Sequence, residues 1–378
     1  MNLTKKQKKQ IISCLILAVA GDTISFFLGS NKHNSLNKKN SKNKIRLISK
    51  LYAIDNLNIS GWFHSFYSVW LYAIPQPPEN LIYKDNKYYI KKNKYKSQFT
   101  FLDMKNIVKV SHRIKPSDRI TKTPAIAQLY VSLTNTNLYK LAVHKKTPIR
   151  FYARYYDKSN IQKNIKKIET NKIILSPSDD VILFGIPCGL LYLNEKDFYK
   201  RDDYIKYIIL TTYKHPYSYM CVILLANLIS NIFKTGKLID SIIISNNYLL
   251  NKFNHTNKTE KLFCKEFNKF VNKTIYLKKN IVKPLSGYFK KLNPLTTILI
   301  AINSLYMAPD KWDLLVNKSG LDYQGNPASC AIACAIYGLL HNFKGVPKSQ
   351  YNNIENKKNL YTNFFKHGHI KYLPINSY

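Results

Sequence analysis

Few residues of this chain stand at spacings that chemistry uses. Cys330 and Cys334 are four apart, so a helix would bring them to one face, and His341 follows seven residues later. These are zinc-ligand types, but a tetrahedral zinc site wants four ligands and no fourth stands nearby in the sequence. Asp179 and Asp180 are adjacent and could bracket a divalent cation, although neighbouring aspartates equally open a helix or fill a solvated turn. His215 precedes Pro216 with no nucleophile or carboxylate beside it, and is read as ordering a turn rather than as a general base. Ser65 and Ser68 flank Phe66 and Tyr67. Hydroxyls without a carboxylate do not hold a divalent ion against bulk water.

The elements that must position these residues come from a chain of 378 residues, 45% of them hydrophobic. That is enough for a substantial core and excludes a disordered polymer. Long apolar segments fill the second half: 204–212, 217–233, 296–308 and 328–343. They exceed ordinary strand length, and helices apolar on most sides are buried on most sides. Lys237 to Phe253 also reads as a helix, with a strand left open by its Ile and Tyr content. Turn signals separate them at His215-Pro216, Thr235-Gly236, Ala308-Pro309-Asp310 and Gly325-Asn326-Pro327. The pattern predicts an all-α fold in a single domain over residues 1–378. Residues 31–50 and 75–98 are basic loops or insertions, the second with a small hairpin as the alternative. Residues 140–175 receive no firm assignment.

Charge is the loudest feature of the composition. There are 59 Lys+Arg against 21 Asp+Glu, a formal net charge of +38. Such a balance concentrates polyanions around the protein and says nothing about its fold. Lys, Asn, Ile and Tyr are abundant together, as in an AT-rich genome, so part of the excess reflects codon bias. Tyr83, Tyr88, Tyr89 and Tyr95 interleave with Lys84, Lys87, Lys91, Lys92, Lys94 and Lys96, a pattern that suits single-stranded nucleic acid. The six cysteines are scattered through apolar runs and read as buried free thiols of a reducing compartment. Lys5, Lys6, Lys8 and Lys9 before the apolar run Ile11 to Ala20 resemble a signal peptide. A first core helix accounts for the same residues, so secretion is disfavoured and an intracellular, cytoplasmic location expected. No stretch is read as a membrane span.

A set of ordered anchors carries a resemblance. Ala20-Gly21-Asp22 ends an apolar helix; Gly61-Trp62 is followed by Ser65 and Ser68; Thr212-Tyr213-Lys214-His215-Pro216 precedes a buried helix. Ala308-Pro309-Asp310-Lys311-Trp312, Ser329-Cys330-Ala331-Ile332-Ala333, Gly338 and Phe343-Lys344-Gly345-Val346 follow. In this order and spacing the chain resembles the ADP-ribosylglycohydrolase family, in particular its ADP-ribosyl-arginine hydrolases, with 75–175 only loosely included. The resemblance implies a compact all-α fold and cleavage of the N-glycosidic bond between ADP-ribose and a protein side chain with two magnesium ions. It also implies that Asp22 braces the end of the first helix.

The equipment for that reaction is missing where the resemblance would put it. Paired carboxylates are the minimum for two hard cations that orient ribose hydroxyls and activate water. At the family's first carboxylate element this chain has Ser65, Phe66, Tyr67 and Ser68; at the second it has Gly325, Pro327 and Ala328. A register shift places Asn326 and Ala328 there and restores nothing. The Gly-rich phosphate loop becomes Ser176-Pro177-Ser178-Asp179-Asp180, and the loop near the ribose becomes Lys291-Leu292-Asn293-Pro294-Leu295. Phe66 and Tyr67 are read as plugging the pocket.

The expectation is therefore a pseudoenzyme with no cofactor, no confident catalytic or metal residue and no ADP-ribose binding. Its role is binding or structural, toward an acidic partner that is protein or nucleic acid. A divergent magnesium-dependent hydrolase is the enzyme alternative, with Asp322 or Asp180 as displaced carboxylates. A basic nucleic-acid-associated protein is the other.

Overall fold

The computed structural model describes residues 3–33, 57, 59, 67–72, 81–84, 87–90, 177–179, 181–194, 198–210, 213–253, 256–276, 293–321, 326–354 and 357–367. Among these the chain is helical apart from one antiparallel ribbon, β1 (Leu81–Lys84) and β2 (Lys87–Ile90), in which Tyr83 pairs with Tyr88 and Lys84 with Lys87. The expected all-α architecture is what the described residues form, and the hairpin foreseen as an alternative within 75–98 is present. Residues 34–56, 91–176 and 277–292, which take in most of the 31–50 loop, lie outside the description.

Helix starts follow one local rule. Three of them place a capping side chain immediately before a proline, whose missing N–H and fixed φ suit the first helical position. At α4 (Pro216–Thr235) the Nδ1 of His215 accepts from the Tyr217 N–H at 3.2 Å, so this histidine does order the turn. At α7 (Pro294–Met307) Asn293 accepts from the Thr296 N–H at 3.0 Å. At α9 (Pro327–His341) Asn326 and Ser329 bond reciprocally, 2.7 Å from the Ser329 N–H and 2.9 Å from the Asn326 N–H. Helix α1 (Lys5–His33) opens with reciprocal Thr4 and Gln7 bonds. Helix α4 stops at Gly236, whose φ of +67° carries the chain through the left-handed region.

Helix α4 is the central rod. It packs against α2 (Gly185–Leu191), α3 (Phe198–Leu210), α5 (Leu238–Phe253), α6 (Lys258–Val271), α7 and α9. Its residues Tyr217 to Phe233 are all buried. The polar ones find partners inside: the Ser230 hydroxyl donates to the Gly189 carbonyl at 2.7 Å, and the Asn231 amide to Ser245 at 3.0 Å. The segment 237–253, for which a strand stood open, is helical, and its buried face mixes Ile242, Leu249 and Phe253 with polar residues. Ser241, Ser245 and Asn246 point inward while Ile239 and Ile244 are exposed. Asn246 donates to Asn268 of α6 at 2.9 Å.

The second axis is the pair α1 and α9. They run antiparallel, with Ser13 beside Gly338 and Gly21 beside Cys330 and Cys334. The Ser13 hydroxyl donates to the Gly338 carbonyl at 2.7 Å, and the Gln10 amide to the Leu339 carbonyl at 2.9 Å. A methyl group built on Gly338 would lie 2.6 Å from the Ser13 carbonyl oxygen, and one on Gly21 2.6 Å from the Cys334 sulfur. Ile11 to Ala20 is buried throughout, so the N-terminal apolar run is a core helix. One hydrophobic cluster runs from Ile11 to Phe365.

The expectation that no segment reaches membrane-spanning length needs correction. Lys5–Phe26 and Pro216–Thr235 are long and apolar enough to cross a membrane by length and composition. The sequence reading stopped the first at Ala20, but the helix continues through Gly21, Asp22 and Thr23. In the fold, 89% and 94% of the two windows are buried inside the protein.

Close backbone approach makes Gly338 the most sensitive position of the α1–α9 contact. Gly338→Val should lower stability by about 1–3 kcal/mol through overpacking, read as a shift of the urea midpoint at unchanged slope.

Candidate functional site

The residues singled out by chemistry fall into two groups. Tyr67 and Ser68 open a 3-10 turn (Tyr67–Tyr72) that packs on α1, α9, α10 (Lys357–His367) and the turn Ile182–Phe184 before α2. Pro327 and Ala328 form the first turn of α9, where Ala328 is buried. Ser65, Phe66, Asp180, Asp322 and Gly325 lie outside the described residues.

Around Tyr67 and Ser68 a hydroxyl–carboxylate cluster joins four distant segments. The Ser68 hydroxyl donates to Asp22 Oδ2 of α1 at 2.5 Å, with both side chains fully buried. The Tyr67 hydroxyl donates to Asp179 Oδ1 at 3.2 Å, and the Thr297 hydroxyl of α7 to Asp179 Oδ2 at 3.0 Å. The Ser178 N–H donates to the Ser218 hydroxyl at 3.1 Å, fixing the same loop to α4. Hydrogen bonds to an ionised carboxylate are about twice as strong as neutral ones, which suits a junction of segments with little contact of their own.

Asp22 does not stand at the end of the first helix, where the resemblance would put it: α1 continues to His33, and within it Asp22 accepts from Ser68 of the 3-10 turn. Asp179 is a bridge between the 3-10 turn and α7. Thr297 was missed from sequence: a threonine in the first turn of a helix carries no signal for a carboxylate 118 positions earlier in the chain.

The described residues at these positions offer few oxygens to a magnesium pair. Tyr67, Pro327 and Ala328 supply at most a phenol, and the two carboxylates present are bonded to hydroxyls of different segments. Among the described residues no three His, Cys, Asp or Glu side chains lie close enough to share a metal ion. Cys330 and Cys334 sulfurs are 4.0 Å apart and fully buried, and burial pushes the Cys334 thiol well above its ordinary value. The His341 ring instead packs on Tyr337, centroids 4.7 Å apart. All six cysteines are free and buried.

Two further polar clusters sit elsewhere. Arg201 and Asp202 are buried neighbours on α3, the guanidinium 2.7 Å from the Asp202 carboxylate, whose other oxygen accepts from Tyr248 at 2.7 Å and Lys252 at 3.0 Å on α5. A buried pair of this kind fixes geometry more than it adds stability, because desolvation offsets the Coulomb gain. Glu260, buried at the start of α6, accepts from Tyr219 and from Lys206 at 3.1 Å. Burial alone pushes its carboxyl up, but Tyr219, Lys206 and Thr256 outweigh that and hold it below the ordinary carboxylate range.

Removing the donor to a buried carboxylate tests the cluster. Ser68→Ala should cost about 1.5–3 kcal/mol by urea unfolding. Glu260 gives a pH signature. Its folded value lies below its unfolded one, so its contribution is fully present above the unfolded pKa of about 4.3 and vanishes as pH falls through the folded value. Wild type should therefore exceed Glu260→Gln in thermal stability at neutral pH, and the two should converge only as pH falls through the lowered folded value. Compared with known families and curated proteins, the chain matches no family model and no curated sequence.

Proposed function

We propose that this chain is a catalytically inactive ADP-ribosylglycohydrolase-like protein, a pseudoenzyme that serves by binding an acidic partner. The observation that supports this reading is the bonding at Tyr67 and Ser68. Where the family resemblance calls for metal-binding carboxylates, the chain has Phe66 and Tyr67; the Tyr67 hydroxyl is donated to Asp179, and that of the adjoining Ser68 to Asp22. A hydrolase of this class needs those groups turned toward ions and substrate; here they hold the 3-10 turn to α1, to the 177–179 loop and, through Asp179, to α7. The start of α9 adds no ligand, because Pro327 and Ala328 are apolar and Asn326 is engaged as a helix cap. Fold-level likeness without the site carries no activity.

The binding half of the proposal rests on charge. Among the described residues three carboxylates, Asp22, Asp202 and Glu260, and one cation, Arg201, are buried, so burial there does not offset the sequence balance of +38. Such a surface speeds and strengthens encounters with polyanions, and its affinity falls steeply with salt.

The deciding measurement is release of ADP-ribose from a mono-ADP-ribosylated arginine protein, with magnesium and a chelator control, alongside calorimetric titration of free ADP-ribose. The expected result is neither release nor heat of binding. Chelator-sensitive release would overturn the proposal and direct attention to Asp322 and Asp180.

A further inference from the structure

We propose that the surface around Tyr199 is a stacking platform for single-stranded nucleic acid. This names the acidic partner and rests on the basic exterior argued above, not on the family resemblance.

Tyr199 lies in the first turn of α3 and is 60% exposed, the highest value among the large hydrophobic residues described. Its ring is nonetheless held. Lys252 of α5 places its ammonium 4.8 Å from the Tyr199 centroid, and the Tyr248 ring lies 6.3 Å away at 57°. Tyr248 in turn meets Phe198 edge-on at 5.9 Å. Phe198 carries the Arg201 guanidinium at 4.2 Å and the Lys234 ammonium of α4 at 4.9 Å from its centroid. Cations and aromatic rings from α3, α4 and α5 thus interleave in one patch. Lys200 in the same turn of α3 and Lys234 in the last turn of α4 stand exposed.

Among the described residues three carboxylates border the patch. Asp202 is buried and bonded to Arg201, Tyr248 and Lys252, so it braces the aromatic rings and does not face a ligand. Asp203 is half-buried between Lys252 and Lys206, with burial raising its carboxyl. Asp240 is exposed and pairs with Lys237 at 3.5 Å, which leaves Lys200 and Lys234 as the exposed lysines that frame the ring.

An exposed ring held by its neighbours loses little freedom when a base stacks on it, and every base offers a π-face, so the contact needs no hydrogen-bond code. Lysines around it meet the phosphates. An acidic protein would use the charge and leave the ring idle. Base and phosphate together use both.

The test takes the full-length protein and a short fluorescent oligouridylate, with heparin as a charge-only probe, by anisotropy across a salt series. Wild type should bind both with steep salt dependence. Tyr199→Ala should weaken oligouridylate binding about tenfold while leaving heparin unchanged, and Tyr199→Trp should restore it. Unchanged oligouridylate affinity in Tyr199→Ala, or an equal loss toward both probes, overturns the platform and leaves the binding role standing. Failure of wild type to bind either probe overturns the basic-exterior reading together with the platform.

Discussion

Helices α1 and α9 meet with almost nothing between their backbones, and the other parts of the site depend on that contact. Gly338 stands against the Ser13 carbonyl, Gly21 against Cys334, and Ser13 closes the pair with a hydrogen bond to the Gly338 carbonyl. The short approach fixes how deep α1 sits. It thereby fixes Asp22, one residue past Gly21, as a buried carboxylate that must find a donor, because an unpaired buried charge is costly. Ser68 is that donor, and Ser25 donates to the Gly320 carbonyl at 2.9 Å, tying α1 to the turn leading toward α9.

Much of this order was legible in the residues. Segments apolar on every face became helices buried on every face, as in α4, α7 and α9, because length and composition leave no other structure able to hide them. The His215-Pro216 and Asn326-Pro327 pairs announced helix starts, since capping and proline geometry act within four residues. Tyr67, Ser68, Pro327 and Ala328 could be read as poor metal ligands from chemistry alone. Asp179 could be seen, but not what it does. Its partners Tyr67 and Thr297 are 112 and 118 positions away, and hydroxyl residues at those distances carry no local mark.

Helix α5 was harder for a different reason. Ile239 and Ile244 face solvent, while Ser241, Ser245 and Asn246 face the core beside Ile242, Leu249 and Phe253. Ile242, Leu249 and Phe253 keep the helical period inward, and the polar residues among them are placed by hydrogen bonds to Asn231 and Asn268. Those partners stand on α4 and α6, so the rule that places them belongs to tertiary structure. The same helix supplies Tyr248 and Lys252 to the Tyr199 patch, so one element both departs from the binary pattern and frames the most exposed aromatic residue.

The Ser13–Gly338 bond spans 325 positions of the chain. Synthesis proceeds at about 5–20 residues per second, so α1 leaves the ribosome roughly 16 to 65 seconds before its partner helix exists. During that interval an apolar helix whose every face is destined for burial has no surface to cover it. Early life of this protein is therefore set by a wait, and anything that shelters a nascent apolar helix acts on α1 before the fold does.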